Sequence, residues 1–270
     1  MRVFVAGANG AVGKRLVPML VANGHDVTGT TTSESGVAAV SAMGATPVVV
    51  DGLDAAGIGR AVAEAEPDAI IHEMTALSGT PDFRHFDRWF ALTNRLRTEG
   101  TEHLLAAARA TGVRRFVAQG FTGWSNSREG SWIKTEDDPL DPDPVPAMSE
   151  ATAALRYLDE TVAAAAAGGI VLRYGTFYGA ANDGLIEPVR KRMFPIVGGG
   201  AGVSSFIHLD DAAAATVLAL DHDGPAIYHV VDDEPAPVRD WLPVLAEALG
   251  AKPPRPTRPT RSSPSPTTSS

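Results

Sequence analysis

Val3-Phe4-Val5-Ala6-Gly7-Ala8-Asn9-Gly10-Ala11-Val12-Gly13 carries an apolar strand straight into a turn with glycine at every third position. Leu16, Leu20 and Val21 follow at helical spacing, so the stretch predicts strand, tight turn and helix. Each glycine has its own physical role. One makes the turn, one lets backbone N–H groups approach a pyrophosphate, and one lets the helix pack closely on the strand. The unpaired N–H groups of the helix N-terminus then face the anion. The motif reads as a dinucleotide-phosphate site, with an ordinary βα turn as the alternative.

The alternation recurs outward from this stretch. The first helix ends near Asn23-Gly24, and His25-Asp26-Val27 begins a second strand. Pro47 to Asp51 reads as a strand, Ile58 to Ala65 as a helix and Ala69 to His72 as a strand. Glu99 to Ala110 is a helix stopped at Gly112, Arg115 to Ala118 a strand, Ser149 to Ala167 a long helix and Ile170 to Leu172 a strand. Pro18 is expected to kink or weaken the first helix. Strands apolar on both faces and separated by helices indicate a parallel sheet covered on both sides. The fold class is α/β, a doubly wound parallel sheet (Rossmann) with a small C-terminal substrate subdomain. Residues 1–178 form the core, and 179–252 the subdomain with interleaved sheet strands. Residues 253–270, rich in Pro, Ser and Thr, form a tail expected to be disordered.

With 270 residues, 44% of them hydrophobic, the chain can bury a full core. A net charge of -9 argues against a nucleic-acid footprint and for a small-molecule partner. There is no Cys, which excludes a disulfide framework and a thiolate metal site and fits the cytoplasm. Apolar runs are too short for a membrane span, and no cleavable leader is expected. His72 and His208 lie in or beside apolar strands without a second ligand at metal spacing, so they read as structural and no metal is expected. The carboxylate-rich loop from Lys134 to Pro144 reads as solvated.

The ordered series of motifs resembles the extended short-chain dehydrogenase/reductase family, in its NAD-dependent epimerase/dehydratase group. The series comprises the glycine turn, Asp51-Gly52-Leu53-Asp54, Pro67 to His72, Gly100 to Leu105, Gly112 to Val117, Leu172 to Gly179 and Phe206 to Asp211. The resemblance implies that Asn9, Gly10, Ala11, Val12 and Gly13, with Gly7, cradle the pyrophosphate. It implies that Asp51, Gly52 and Leu53 meet the adenine and that Met74, Thr75 and Ala76 line the ribose side. Gln119 and Gly120, with Tyr174, Gly175, Thr176 and Phe177, flank the nicotinamide. Asp51 has a turn-capping role as its alternative. An acidic residue after the second strand favours NAD and an Arg favours NADP. Here Thr32 stands where many NADP-using relatives carry Arg, and Glu34 follows, so either cofactor, NAD or NADP, fits.

One departure bears on the chemistry. The family uses a Tyr and a Lys four residues apart on one helix, the ammonium holding down the phenol pKa for proton exchange. None of Tyr157, Tyr174, Tyr178 and Tyr228 has Lys four positions on. The Tyr position falls on Met148 and the Lys position on Thr152, neither an acid or base near neutral pH. The usual substrate-bonding hydroxyl maps to Phe121 or Thr122, which leaves Thr122 as the catalytic candidate. Two readings follow. One is an NAD(P)-binding oxidoreductase or epimerase/dehydratase-like enzyme acting on a small carbonyl, alcohol or sugar, its proton exchanged by His85, Lys134 or water. The other is a non-catalytic dinucleotide-binding sensor or regulatory protein. The resemblance also implies homodimer pairing through the two long helices. Related chains continue past Lys252 with apolar elements, so part of the pocket wall is expected to be missing.

Overall fold

The computed structural model describes residues 1–77, 85–179, 185–223 and 226–257. In chain order its first elements are β1 (Arg2–Ala6), α1 (Gly13–Ala22), β2 (Asp26–Thr31), α2 (Glu34–Ala42), β3 (Thr46–Val49), α3 (Ala55–Ala65) and β4 (Ala69–His72). There follow α4 (Phe86–Arg95), a π-helical turn Leu96–Gly100, α5 (Thr101–Thr111), β5 (Arg115–Phe121), a 3-10 turn Pro146–Met148, α6 (Ser149–Ala163), β6 (Gly169–Tyr174) and β7 (Thr176–Tyr178). The remainder is α7 (Ile186–Arg190), β8 (Ile196–Val197), β9 (Val203–Ser204), β10 (Phe206–His208), α8 (Leu209–Ala219), β11 (Ile227–Val230), β12 (Ala236–Pro237), α9 (Val238–Ala248) and β13 (Pro256–Thr257).

Seven strands form one sheet in the order β11-β6-β5-β4-β1-β2-β3, all pairs parallel. The side-chain period of two sends alternate residues of β1 to opposite faces. Val3 and Val5 join Leu16, Val17 and Leu20 of α1 and Ala212 and Ala213 of α8. Phe4 and Ala6 join Ile58 and Val62 of α3, Leu104 and Ala108 of α5 and Leu158 of α6. Both faces are therefore dry, as a parallel sheet requires. The chain leaves β1 towards β2 and β3, then crosses to β4 on the other side. The switch point between β1 and β4 is where folds of this kind bind their ligands, outside the carboxyl ends of the strands.

Two compact units result. The described residues of 1–183 and 205–233 make the larger one, and those of 184–204 and 234–270 the smaller. The smaller unit packs Val189 of α7 against Leu242 and Ala246 of α9. β10, α8 and β11 belong to the larger unit because β11 pairs with β6 and extends the main sheet.

Three details depart from the sequence reading. Pro18 lies inside an unbroken α1, on its exposed side, while Leu16, Val17 and Leu20 hold the helix to the sheet. The helix expected from Glu99 begins at Phe86 and contains the π turn, which buries Leu96, Arg97 and Gly100 together. In the tail expected to be disordered, Pro256–Thr257 pairs with Ile196–Val197, and Ile196 N–H donates to the Arg255 carbonyl at 2.9 Å. Residues 258–270 of that tail lie outside the described residues.

Candidate active site

The glycine turn at the switch point is closed by Gly10 N–H donating to the Gly7 carbonyl at 2.9 Å. Gly7 has φ +98°, and its N–H donates to Thr30 Oγ1 at 3.0 Å, tying the turn to β2. A Cβ on Gly7 would stand 2.7 Å from the Glu73 carbonyl oxygen, and one on Gly13 would stand 2.4 Å from that of Gly7 and 2.5 Å from that of Ala8. Only hydrogen fits at either place. The N–H groups of Ala11, Val12 and Gly13 donate to no backbone carbonyl among the described residues, as expected for the first turn of a helix. Gly10 and Ala11 are exposed, and Asn9 Oδ1 is buried without a partner. Free amides and close backbone clearance fit the diphosphate of a dinucleotide.

The other expected contacts lie at the carboxyl ends of the neighbouring strands. Thr32 is exposed just past β2. Asp51 Oδ1 accepts the Leu53 N–H at 2.9 Å, so its carboxylate shapes the turn after β3. Gly52 abuts Met74, where a Cβ would fall 2.5 Å from Sδ, and this joins the loops after β3 and β4. Met74 is half-buried, Thr75 is exposed, and Ala76 N–H donates to Thr93 Oγ1 of α4 at 3.0 Å. Gln119 and Gly120 lie near the end of β5, before its final residue Phe121, and Gly175, Thr176 and Phe177 follow β6. Tyr174 is placed differently: its side chain is fully buried in the core, its Oη 2.6 Å from Thr216 Oγ1 of α8 and 3.3 Å from Glu73 Oε1.

The resemblance puts the family's proton-exchange pair at Met148 and Thr152, and neither side chain is an acid or base near neutral pH. Met148 packs on a cluster of Phe86, Phe90, Trp124 and Ala151. Phe86 stacks on Phe90 at 4.4 Å between centroids, and Trp124 meets them edge-on at 5.4 and 5.8 Å. Thr152 is fully buried with its hydroxyl unpartnered. Thr122 is buried, its Oγ1 accepting from Asn126 Nδ2 at 2.9 Å, and Phe121 lies 5.3 Å from Trp124. His85 is exposed just before α4, and the Lys134 ammonium donates to the Glu129 carbonyl.

The histidines read as structural have defined work. His72 Nδ1 accepts the Met74 N–H at 3.2 Å, so Nε2 carries the proton and donates to the Leu96 carbonyl at 3.2 Å. Burial pushes its pKa down to about 4. His208 Nδ1 accepts the Asp210 N–H and caps α8. Among the described residues no three His, Asp or Glu side chains group to hold a metal ion, and no helix is long and apolar enough to cross a membrane. Carboxylates of the 134–144 loop have partners of their own: Asp138 takes the Thr135 N–H within the loop, Asp141 takes Arg128, and Glu136 takes the His229 N–H of β11.

Sequence reasoning passed over Glu73 and the buried ion pair of Asp159 and Arg173. Glu73 directly follows β4, and burial raises its carboxyl pKa to about 8. Arg173 on β6 bonds Asp159 Oδ2 of α6 through Nε at 3.0 Å and through its terminal nitrogen at 2.9 Å, both side chains nearly inaccessible. An Arg within the otherwise apolar run Ile170 to Leu172 and onward was the available signal.

A parallel sheet in this order, with a glycine turn at its switch point, defines the dinucleotide-binding class of doubly wound folds. The chain belongs to the NAD dependent epimerase/dehydratase family, whose model matches residues 3–230. It is 42% identical over 261 residues to a 3-diazoavenalumate denitrifying reductase from Streptomyces sp, covering 94% of this chain and 84% of that protein. It is 27% identical over 257 residues to a 4-hydroxy-2-methyl-3-oxo-4-farnesyl-3,4-dihydroquinoline-1-oxide ketoreductase from Stigmatella aurantiaca, covering 93% and 74%. Among solved structures, the UDP-glucose 4-epimerase of Thermus thermophilus in complex with NAD is similar at TM-score 0.73 and 28% identity, covering 96% of this chain and 88% of that one.

Proposed function

We propose that this chain is a nicotinamide-dependent reductase for a substrate that needs no proton from the protein. In this reading Gly7 and Asn9 to Gly13 hold the diphosphate, Asp51 to Leu53 the adenine, and Thr32 with Met74 to Ala76 the ribose side. Gln119, Gly120 and the backbone from Tyr174 to Phe177 flank the nicotinamide. When bound, NADH or NADPH supplies a hydride. The observation that carries the reading is the apolar setting of Met148 and Thr152, where the resemblance puts the family's proton-exchange pair.

That setting selects a substrate class. A ketone that gains a hydride becomes an alkoxide and needs a proton donor, which contributes about 10²–10⁴-fold to rate. An arenediazonium ion has no such need: its C–N bond breaks as the C–H bond forms, the C–N electron pair leaves with dinitrogen, and both products are neutral. The diazo acid in the name of the 42% identical relative supports this class. The partly accessible faces of Phe121 and Trp124 next to Thr122 suit a cationic group.

The test is a panel of an aryl diazonium acid and aryl ketones with NADH and NADPH. Dinitrogen release coupled to cofactor oxidation is expected with the diazonium acid, and rates about 100-fold lower with the ketones. Thr122→Ala is expected to leave the diazonium rate within about three-fold, because that hydroxyl already has a partner in Asn126. Ketone turnover matching the diazonium rate would overturn the substrate class, and tight cofactor binding with no turnover across the panel would favour a sensor. A cytoplasmic setting and a homodimer paired along α5 and α6 belong to the same reading, the latter checked by sedimentation.

A further inference from the structure

Glu73 hangs under the glycine turn. Its N–H donates to the Ala6 carbonyl at 2.8 Å, and its own carbonyl is the atom that denies Gly7 a side chain. The carboxyl points into the core cluster that contains Ala8 and Val12 of the turn and Tyr174, and Oε2 is buried with no partner. Through its backbone Glu73 touches Gly7, the first glycine of the turn that would hold the diphosphate.

The protons along these contacts bear on the state of this carboxyl. The Thr216 hydroxyl lies 2.8 Å from the Ala212 carbonyl, to which only a donor can bond. Thr216 therefore accepts at 2.6 Å from Tyr174, whose one proton is then committed. The remaining contact, 3.3 Å between Tyr174 Oη and Glu73 Oε1, is met by the Tyr174 proton donated to the carboxyl or, while that proton is committed to Thr216, by a proton on Glu73. Other titratable groups stand on the surrounding elements: His72 on β4, Lys14 and Arg15 on α1, Asp210 and Asp211 on α8. Among the described residues only Tyr174 bonds to Glu73; Arg15 is paired with Asp210 instead. Burial without a cation favours the neutral acid.

We propose that Glu73 is a positioning residue that admits the dinucleotide diphosphate only while it carries its proton. An ionised carboxylate would set a fixed negative charge beneath a doubly charged anion in a poorly screened place. By reciprocity, the bound diphosphate holds the proton on Glu73.

This inference rests on the cofactor reading, and the experiment separates the two. NADH and NADPH are titrated calorimetrically into the full chain and into Glu73→Gln from about pH 7 to about pH 9.5. Wild-type affinity is expected to fall about 30-fold across that range, while Glu73→Gln keeps at the alkaline end the affinity it has at neutrality. Glu73→Met is the second variant should the Gln form fail to fold. A ligand-free measurement accompanies them. A carboxyl with a folded pKa of about 8, above its ordinary 4.5, stabilises the fold fully below the lower value and loses that contribution as pH rises through the upper one. The melting temperature of Glu73→Gln minus that of wild type should therefore climb from about pH 5 to about pH 8. Binding that is pH-flat in the wild type, or that falls equally in both proteins, overturns the proposal and leaves the cofactor reading intact. No binding of either nucleotide by either protein at any pH removes both.

Discussion

Gly13→Ala is expected to weaken dinucleotide binding by at least about 100-fold and to lower the melting temperature by on the order of 10 °C. Gly13 has no need of a left-handed backbone, so the whole effect is steric. Its added Cβ would meet the carbonyl oxygens of Gly7 at 2.4 Å and Ala8 at 2.5 Å, and both belong to the turn itself. No side chain can rotate away, so either α1 lifts from β1 or the turn opens. Lifting α1 exposes Leu16, Val17 and Leu20, and opening the turn disperses the free amides that face the anion. Overpacking of this kind costs about 1–3 kcal/mol where side chains yield, and more where only backbone can. Gly10→Ala is the internal control. Its Cβ would have one contact, 3.1 Å from the Gly7 carbonyl oxygen, so its melting temperature should fall by much less than that of Gly13→Ala. Calorimetric titration and thermal melts of the two variants check the order. Equal behaviour of both would contradict the close-packed turn.

The second large effect is expected far from the glycines, at Asp159. This carboxylate answers two buried guanidinium groups. Arg173 bonds it directly, and Arg97 on the π turn, with Nε and one terminal nitrogen unpartnered, lies 5.8 Å from the centre of the Phe90 ring and feels the same charge. Burial pushes the Asp159 pKa up to about 6 although Arg173 pulls it down, so the charged pair exists against a large desolvation cost. Removing the anion leaves two cations in a dry interior. Asp159→Asn is expected to cost about 3–5 kcal/mol of stability, read from urea unfolding. Replacing all three residues together (Asp159→Leu, Arg173→Met, Arg97→Met) should recover most of the loss, because the uncompensated charges go with it. Glu99→Gln, which breaks the exposed pair with Arg95, should leave the urea midpoint essentially unchanged. A loss below about 1 kcal/mol in Asp159→Asn would show that the cations find other partners.

The βα units around the glycine turn were legible because each rests on a local pattern: apolar runs for β1, β4 and β5, helical spacing for α1 and α3, and glycine or proline at their ends. Phe86 to Arg95 carried a helical pattern too, in Phe86, Phe90 and Thr93. It was passed over because the π turn that follows shifts the register by one residue and interrupts the periodicity with a buried Arg97. The candidate site was legible as a set of strand ends. Its inner chemistry was not, since Glu73 and Tyr174 are 101 residues apart and no spacing rule joins them.

By itself the sequence determined the strand-turn-helix at the amino terminus, the parallel sheet, and that no Tyr is followed by Lys at the fourth position. These are matters of backbone geometry and residue type, which near neighbours settle. Tertiary structure alone decided that Thr152 is sealed, that the Glu73 carboxyl is buried against Tyr174 and that Arg173 bonds Asp159 while Arg97 feels its charge. The reason is electrostatic. The charge a group carries depends on the water removed from it and on the dipoles brought to it, and both arrive from elements far away in the chain.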